Sequence, residues 1–208
     1  MPAVKKFDFK REFPELYKPS PKSITIVDVP VMKFLMIDRK GDPNSSVDYK
    51  QAVECLFALS YTLKMKVIKK ETPEMDYIVP PLEGLWFMDD MEKWSIENKE
   101  DWLWTMMIRI PDFVSKKQLD LAFQITQESK NPVALPKLYI SNYHEGTCVQ
   151  LMHFGSYNSE GPNIAKMHRY ARDKGYQLTG KHHEIYLSDP RRVDPSKLKT
   201  VLRQPIIR

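Results

Sequence analysis

The sequence predicts an α+β fold: two fused, pseudo-symmetric strand-helix-strand-strand units with antiparallel sheets and a ligand groove between them. Three observations carry this. The same order of elements occurs twice along the 208 residues. Each half carries one amphipathic helix that would cover a single sheet face. The third element of each half runs into a similar string, Leu85-Trp86-Phe87-Met88-Asp89 and Ile185-Tyr186-Leu187-Ser188-Asp189, which makes Trp86 and Tyr186 equivalent. Paired about a pseudo-twofold axis, such units leave a cleft of the kind that takes small ligands.

Residues 1–22 read as an arm that becomes ordered if Phe7, Phe9, Phe13 and Leu16 find a surface, because Pro14, Pro19 and Pro21 rule out a long helix. Half one spans about 24–113. Residues 24–28 and 31–38 read as strands, the second apolar enough for burial. From 48 to 66, Tyr49, Ala52, Val53, Leu56, Leu59 and Leu63 recur at helical spacing, with Phe57 and Tyr61 one turn apart on the flank. Strands follow at 77–88 and 103–110, separated by a charged loop at about 97–101. Ser115 and Gln118 form a capping-box pattern and open a connector helix over about 115–130 that ends before Asn131-Pro132. Half two, about 137–208, repeats the order. It has an aromatic segment at 138–143, a strand at 147–154, a helix from Pro162 that stops at Gly175, and strands at 182–187 and 198–202.

Composition narrows the function classes. A chain with 42% hydrophobic and 28% charged residues is globular in character. Lys and Arg exceed Asp and Glu by 32 to 27, and the excess is dispersed, so no nucleic-acid partner is expected. Cys55 and Cys148 have no CxxC companion, which fits a reducing compartment without a disulfide framework. The charged, proline-broken N-terminus lacks the apolar run of a secretory signal, and no stretch approaches the roughly 20 apolar residues of a membrane span. A cytoplasmic location and no membrane partner are expected, and a protein partner is not readable. Neither GxxxxGK nor GxSxG occurs, so phosphate-cradle and serine-nucleophile chemistry have no motif. His182 and His183 are adjacent in a strand and point to opposite faces, so they do not serve one metal ion. No cofactor is expected.

The most informative stretch is 180–192, GKHHEIYLSDPRR. Alternation puts Ile185 and Leu187 on one face and Glu184, Tyr186 and Ser188 on the other, so a carboxylate lies beside an aromatic ring. Trp86, Trp102 and Trp104 supply aromatic density in the matching strands. Tyr139 and Tyr143 share a face opposite Leu138 and Ile140, and His153 precedes Gly155 where it could donate into a groove. Most such rings and imidazoles serve the core in ordinary proteins. Glu83, before Gly84, is a second carboxylate held in reserve; alternation sets it opposite Trp86 unless Gly84 introduces a bulge.

These residues resemble the GyrI-like small-molecule-binding family from about residue 24 to the end. The resemblance is carried by Pro81-Leu82-Glu83-Gly84-Leu85-Trp86, by the segment from Trp102 to Ile108, by Ile164-Ala165-Lys166-Met167-His168, and by the segment from His182 to Arg192. It implies a glutamate at the centre of an aromatic pocket, matched by Glu184. The stand-alone subgroup that the chain resembles includes hydrolases of cyclopropanoid DNA-alkylating natural products. Trp86 and Trp104 match the cage of that subgroup. The implied function is xenobiotic detoxification, with Glu184 as general base, Trp86, Trp104, Phe57 and Tyr143 stacking on a planar aromatic ligand, Tyr186 beside the acid, and Tyr139 or His153 as oxyanion donor. The alternative is a non-catalytic multidrug-binding protein that sequesters planar or cationic aromatics in a cation-π cage. A third is a gyrase-interacting inhibitor. Without a recognisable helix-turn-helix segment, a transcription activator is not expected.

Overall fold

A computed structural model describes residues 6–88 and 99–208. Two short helices, α1 (Phe9–Glu12) and α2 (Pro14–Tyr17), precede strands β1 (Thr25–Val29) and β2 (Met32–Lys40). Helix α3 (Val47–Thr62) continues through a π-helical stretch, Leu63–Ile68, into a last turn, α4 (Lys69–Glu71). Strands β3 (Leu82–Phe87) and β4 (Leu103–Arg109), helix α5 (Lys116–Ser129) and strands β5 (Tyr139–Tyr143) and β6 (Gly146–Phe154) follow. Helix α6 (Gly161–Asp173) and strands β7 (Gln177–Leu178), β8 (His182–Tyr186) and β9 (Lys199–Ile207) complete the chain.

The α+β architecture with two equivalent units is present, but the strands form one sheet, in the order β1-β6-β9-β8-β3-β4-β2-β5. The order is palindromic because the halves exchange their first strands: β1 pairs β6 of the second half, and β5 pairs β2 of the first. The seam is β3 against β8, where Leu82 faces Tyr186, Gly84 faces Glu184 and Trp86 faces His182. The pseudo-axis therefore passes beside Glu184. It also superposes Leu82 on His182, Gly84 on Glu184 and Trp86 on Tyr186, the last pair being the equivalence read from the sequence.

Several boundaries differ from the sequence expectation for local reasons. The strand expected from residue 77 begins at Leu82, since Pro80 and Pro81 lack the N–H that a ladder needs. Tyr77 instead makes an isolated parallel bridge to Phe7. The last strand runs five residues beyond its expected end, through Pro205, which pairs Cys148. The capping box at Ser115 and Gln118 forms in both directions. Gly175, two residues past α6, has φ +80°, the left-handed conformation that glycine adopts at little cost. Asp89 and residues 97–98 of the charged loop expected at 97–101 lie outside the described residues.

The two sheet faces carry different layers. Helices α3 and α5 pack Leu56, Leu59, Leu63 and Leu119 against Leu35, Ile37, Met106 and Ile108 of half one. Helix α6 packs Met167 and Ala171 against Val149, Leu151, Leu202 and Ile206 of half two. The opposite face is covered by the arm, where Phe9, Leu16 and Tyr17 bury against Phe34, Met36, Leu85, Met107 and Ile185. Aromatic residues spaced along an otherwise proline-rich segment thus find the surface they need. Among the described residues, no helix is long and apolar enough to cross a membrane.

Candidate functional site

Between α3 and α6 the sheet is left uncovered along the β3–β8 seam, and the opening is a groove of about 2070 Å³. That exceeds the roughly 300–1,000 Å³ of an enclosed ligand pocket, so it is an open cleft. Tyr49, Val53, Phe57 and Tyr61, spaced by four along α3, form one wall, and Ile164, Ala165 and His168 of α6 form the other. Leu82, Trp86, His182, Glu184 and Tyr186 make the floor.

A directed chain of hydrogen bonds crosses this floor. Trp86 Nε1 donates to the Tyr186 hydroxyl at 3.0 Å, and that hydroxyl donates to Glu184 Oε2 at 2.8 Å. Gly84 makes room for it, since a Cβ there would stand 3.0 Å from Trp86 Nε1 and 3.1 Å from the Tyr186 oxygen. Burial, then the Glu184 charge, raise the Tyr186 phenol well above its ordinary value, so it remains a donor. His182 Nε2 lies 3.6 Å from Glu184 Oε1, and the Glu184 side chain is 13% exposed.

A second acid completes the cluster. Glu160, in the N-cap position of α6, is buried, and its carboxyl lies close enough to that of Glu184 for the two to interact. Burial, then the Glu184 charge, drive the Glu160 carboxyl far above the usual carboxylate range, so it holds its proton at neutral pH. Two carboxyl groups sharing one proton, faced by a phenol and an imidazole, can exchange a proton with a bound molecule. The aromatic wall is continuous. Tyr49 stacks on Trp86 with centroids 6.2 Å apart, Trp102 meets Trp86 edge-on at 5.7 Å, and Tyr157 meets Tyr186 edge-on at 5.4 Å.

Of the residues singled out in the sequence, Glu184, Trp86, Tyr186 and Phe57 line this groove. Trp104, Tyr139, Tyr143 and His153 lie elsewhere. Trp104 is fully buried beneath Tyr49, and its Nε1 donates to the Gly41 carbonyl at 3.1 Å. Tyr143 and Tyr139 are on β5 at the sheet edge, paired with Met32 and Met36 of the arm-covered face. The Tyr139 hydroxyl donates to Asp38 there, at 2.9 Å. His153 is held by Asn163 Nδ2 at 2.8 Å at the foot of α6. Strand parity gives a face but not a distance from the axis, and these four are on the wrong face or too far out. Sequence reading overlooked Glu160, Tyr49, His168 and the groove-facing role of His182. Tyr49 could have been found, since it shares the four-residue stripe of Phe57 and Tyr61.

Glu83 lies on the other face with no bulge at Gly84, and there it belongs to a buried ionic network. His183 Nε2 is 3.0 Å from Glu83 Oε2, and His183 Nδ1 is 2.9 Å from Glu145 Oε1. Arg203 binds Glu145 Oε2 at 3.1 Å and Gln150 Oε1 at 3.0 Å. Burial alone would raise Glu145 and lower His183. Their attraction, joined by Arg203 and Glu83, outweighs it, holding Glu145 down at about 2 and pushing His183 up to about 9. Among the described residues no group of three or more His, Cys, Asp or Glu is arranged to hold a metal ion.

Residues 22–207 match the family described as GyrI-like small molecule binding domain. Among solved structures, an uncharacterized conserved protein from Listeria innocua is 39% identical at TM-score 0.89, over 97% of this chain and 100% of that one. A hydrolase from Listeria innocua is 38% identical at TM-score 0.86, over 98% and 100%. The EcmrR C-terminal domain is 11% identical at TM-score 0.56, over 89% and 98%, and bears on the fold alone. No curated protein matches the chain.

Proposed function

The chain belongs to the GyrI-like small molecule binding family, and from that premise we propose a hydrolase that opens the cyclopropane of planar, DNA-alkylating natural products. The observation that carries the reading is Glu184, held by the Tyr186 hydroxyl and lining with Glu160 a groove walled by aromatic rings. The 38% identical hydrolase supports the reaction type. The substrate class comes from the aromatic walls and from the resemblance to cyclopropanoid hydrolases.

In the proposed step a flat ligand lies against Trp86, Tyr49 and Phe57. Burial and ring geometry favour that pose. Glu184 takes a proton from water as the water oxygen bonds to the unhindered cyclopropane carbon. The bond from that carbon to the ring system breaks, and its electron pair moves into the conjugated carbonyl as a phenolate. Glu160 gives its proton to that oxygen, and transfer from Glu184 to Glu160 restores the pair. The net change is the addition of one water. The oxyanion donor expected from Tyr139 or His153 becomes Glu160, which the groove contains and they do not.

A second reading rests on the same walls: an acidic cluster among rings suits a lipophilic cation held without turnover. Incubation of a cyclopropanoid alkylator in tenfold excess separates the two, with ring-opened product followed by mass spectrometry. Turnover beyond one equivalent is expected, and Glu184→Gln should slow it by roughly 10²–10⁴-fold. Sequestration of one equivalent without product refutes the hydrolase. Equal rates for variant and parent refute Glu184 as the base.

A further inference from the structure

The two halves of the groove occupy equivalent positions yet present opposite chemistry. In half one the floor beside the seam and the wall above it are Leu82, Trp86, Tyr49 and Phe57, with Lys50, Glu54 and Lys99 also in the lining. In half two His182 stands where symmetry would put a second Leu82, and His168 of α6 faces it with ring centroids 6.5 Å apart. His182 is 6% exposed, and neither of its ring nitrogens has a hydrogen-bond partner. His168 Nε2 is likewise unpartnered. A buried polar atom left unpaired is costly, so such a group calls for a partner. Three unpaired ring nitrogens thus lie on two neighbouring imidazoles in the half-two lining of the groove.

The chemistry of the missing partner follows from its neighbours. Burial, then His182 and Arg172, hold His168 down at about 4, so it is a neutral imidazole, with Gln204 beside it and Nε2 left without a partner. An anion would meet the Glu184 carboxyl, 3.6 Å from His182. An aliphatic group would leave the nitrogens unpaired. We infer that His182 and His168 form a second subsite that takes a neutral hydrogen-bonding end group, such as an amide, lactam or phenol. The flat body of the same ligand lies on the Trp86–Tyr49 side. This rests on the reading of the groove as a ligand site and adds the polarity and direction of the ligand within it. A site built to hydrogen-bond a ligand group discriminates against the analogue lacking it far more than an apolar pocket does.

Three probes of equal ring size test this by quenching of tryptophan fluorescence, since Trp86 and Trp102 line the groove: 2-naphthamide, naphthalene and 2-naphthylmethylamine. The parent protein should bind the amide at least tenfold more tightly than the other two. His182→Leu, which installs the residue of the equivalent position, should bind amide and naphthalene alike. His182→Asn, which keeps a donor and an acceptor, should retain most of the preference and serves if the leucine variant fails to fold. No preference in the parent overturns the inference, as does a preference that survives His182→Leu or tighter binding of the amine; in each case the groove stands as a ligand site. If none of the probes binds, the groove reading falls with it.

Discussion

Glu184 gains its chemical interest from Glu160, because a lone carboxylate could attract a cation or accept a proton, whereas the pair also holds a proton that it can give. The raised affinity of Glu160 sets the direction of the pH dependence. Its active form is protonated, so activity should persist through neutral pH and decline as pH climbs through the elevated ionisation of Glu160. Glu160→Gln cannot ionise and should lose that alkaline limb while lowering the plateau by roughly 10–10²-fold. A pH–rate profile whose alkaline limb survives the substitution would assign the limb to another group. At this scale the sequence was informative along one strand: alternation placed Glu184 beside Tyr186, and the matching Asp-terminated strings made Trp86 the equivalent of Tyr186. Glu160 carried no such signal, because a glutamate just before Gly-Pro at a helix start reads as an ordinary charge complementing the helix dipole. Only the turn of the chain at Ser156–Pro162 brings it over β8.

The arm and strand β8 form one mechanical unit. Successive residues of β8 face opposite ways, so His182 and Glu184 open to the groove while His183 anchors the strand to Glu83 and Glu145 behind it. The arm closes that network: the Tyr17 hydroxyl donates to Glu83 Oε1 at 3.0 Å, and the Leu16 carbonyl accepts from Arg203 at 2.7 Å. Breaking a buried ionic pair by removing one partner costs about 3–5 kcal/mol, and His183→Gln should destabilise the fold on that scale. The pH signature distinguishes this from a simple packing loss. His183 is raised from 6.5 to about 9, so its contribution is complete below pH 6.5 and fades as pH rises through about 9. Glu145 is lowered from 4.5 to about 2, so its contribution is complete above pH 4.5 and fades as pH falls through about 2. Glu160, raised by burial, loses stability in the same direction as His183. The alkaline decline in denaturation midpoint should therefore become shallower in His183→Gln without vanishing. An unchanged slope would contradict a charged His183. Composition and periodicity showed that the arm needs a surface, but the network was not legible, because its members come from the arm and from β3, β6, β8 and β9 with the loop before β6.

Across the whole molecule the repeat of element order was the readable feature, and it led to the right architecture with one exception. Separate sheets were expected, whereas β1 and β5 cross to the opposite half and knit a single sheet. Periodicity defines strands but says nothing of which strand each will pair with, and residues 24–29 and 139–143 are equally suited to either half. The seam itself joins the halves: β3 lies between β4 and β8, and β8 between β3 and β9, which sets the aromatic half of the groove beside its acidic half. The central claim is that this fixed groove adds water to an electrophilic planar ligand. Turnover of a cyclopropanoid substrate in ¹⁸O-labelled water, read by mass spectrometry, tests it most directly. The account predicts one ¹⁸O atom in each ring-opened product, many products per protein molecule, and loss of both in Glu184→Gln. Unlabelled ligand recovered intact at one per protein molecule would contradict it.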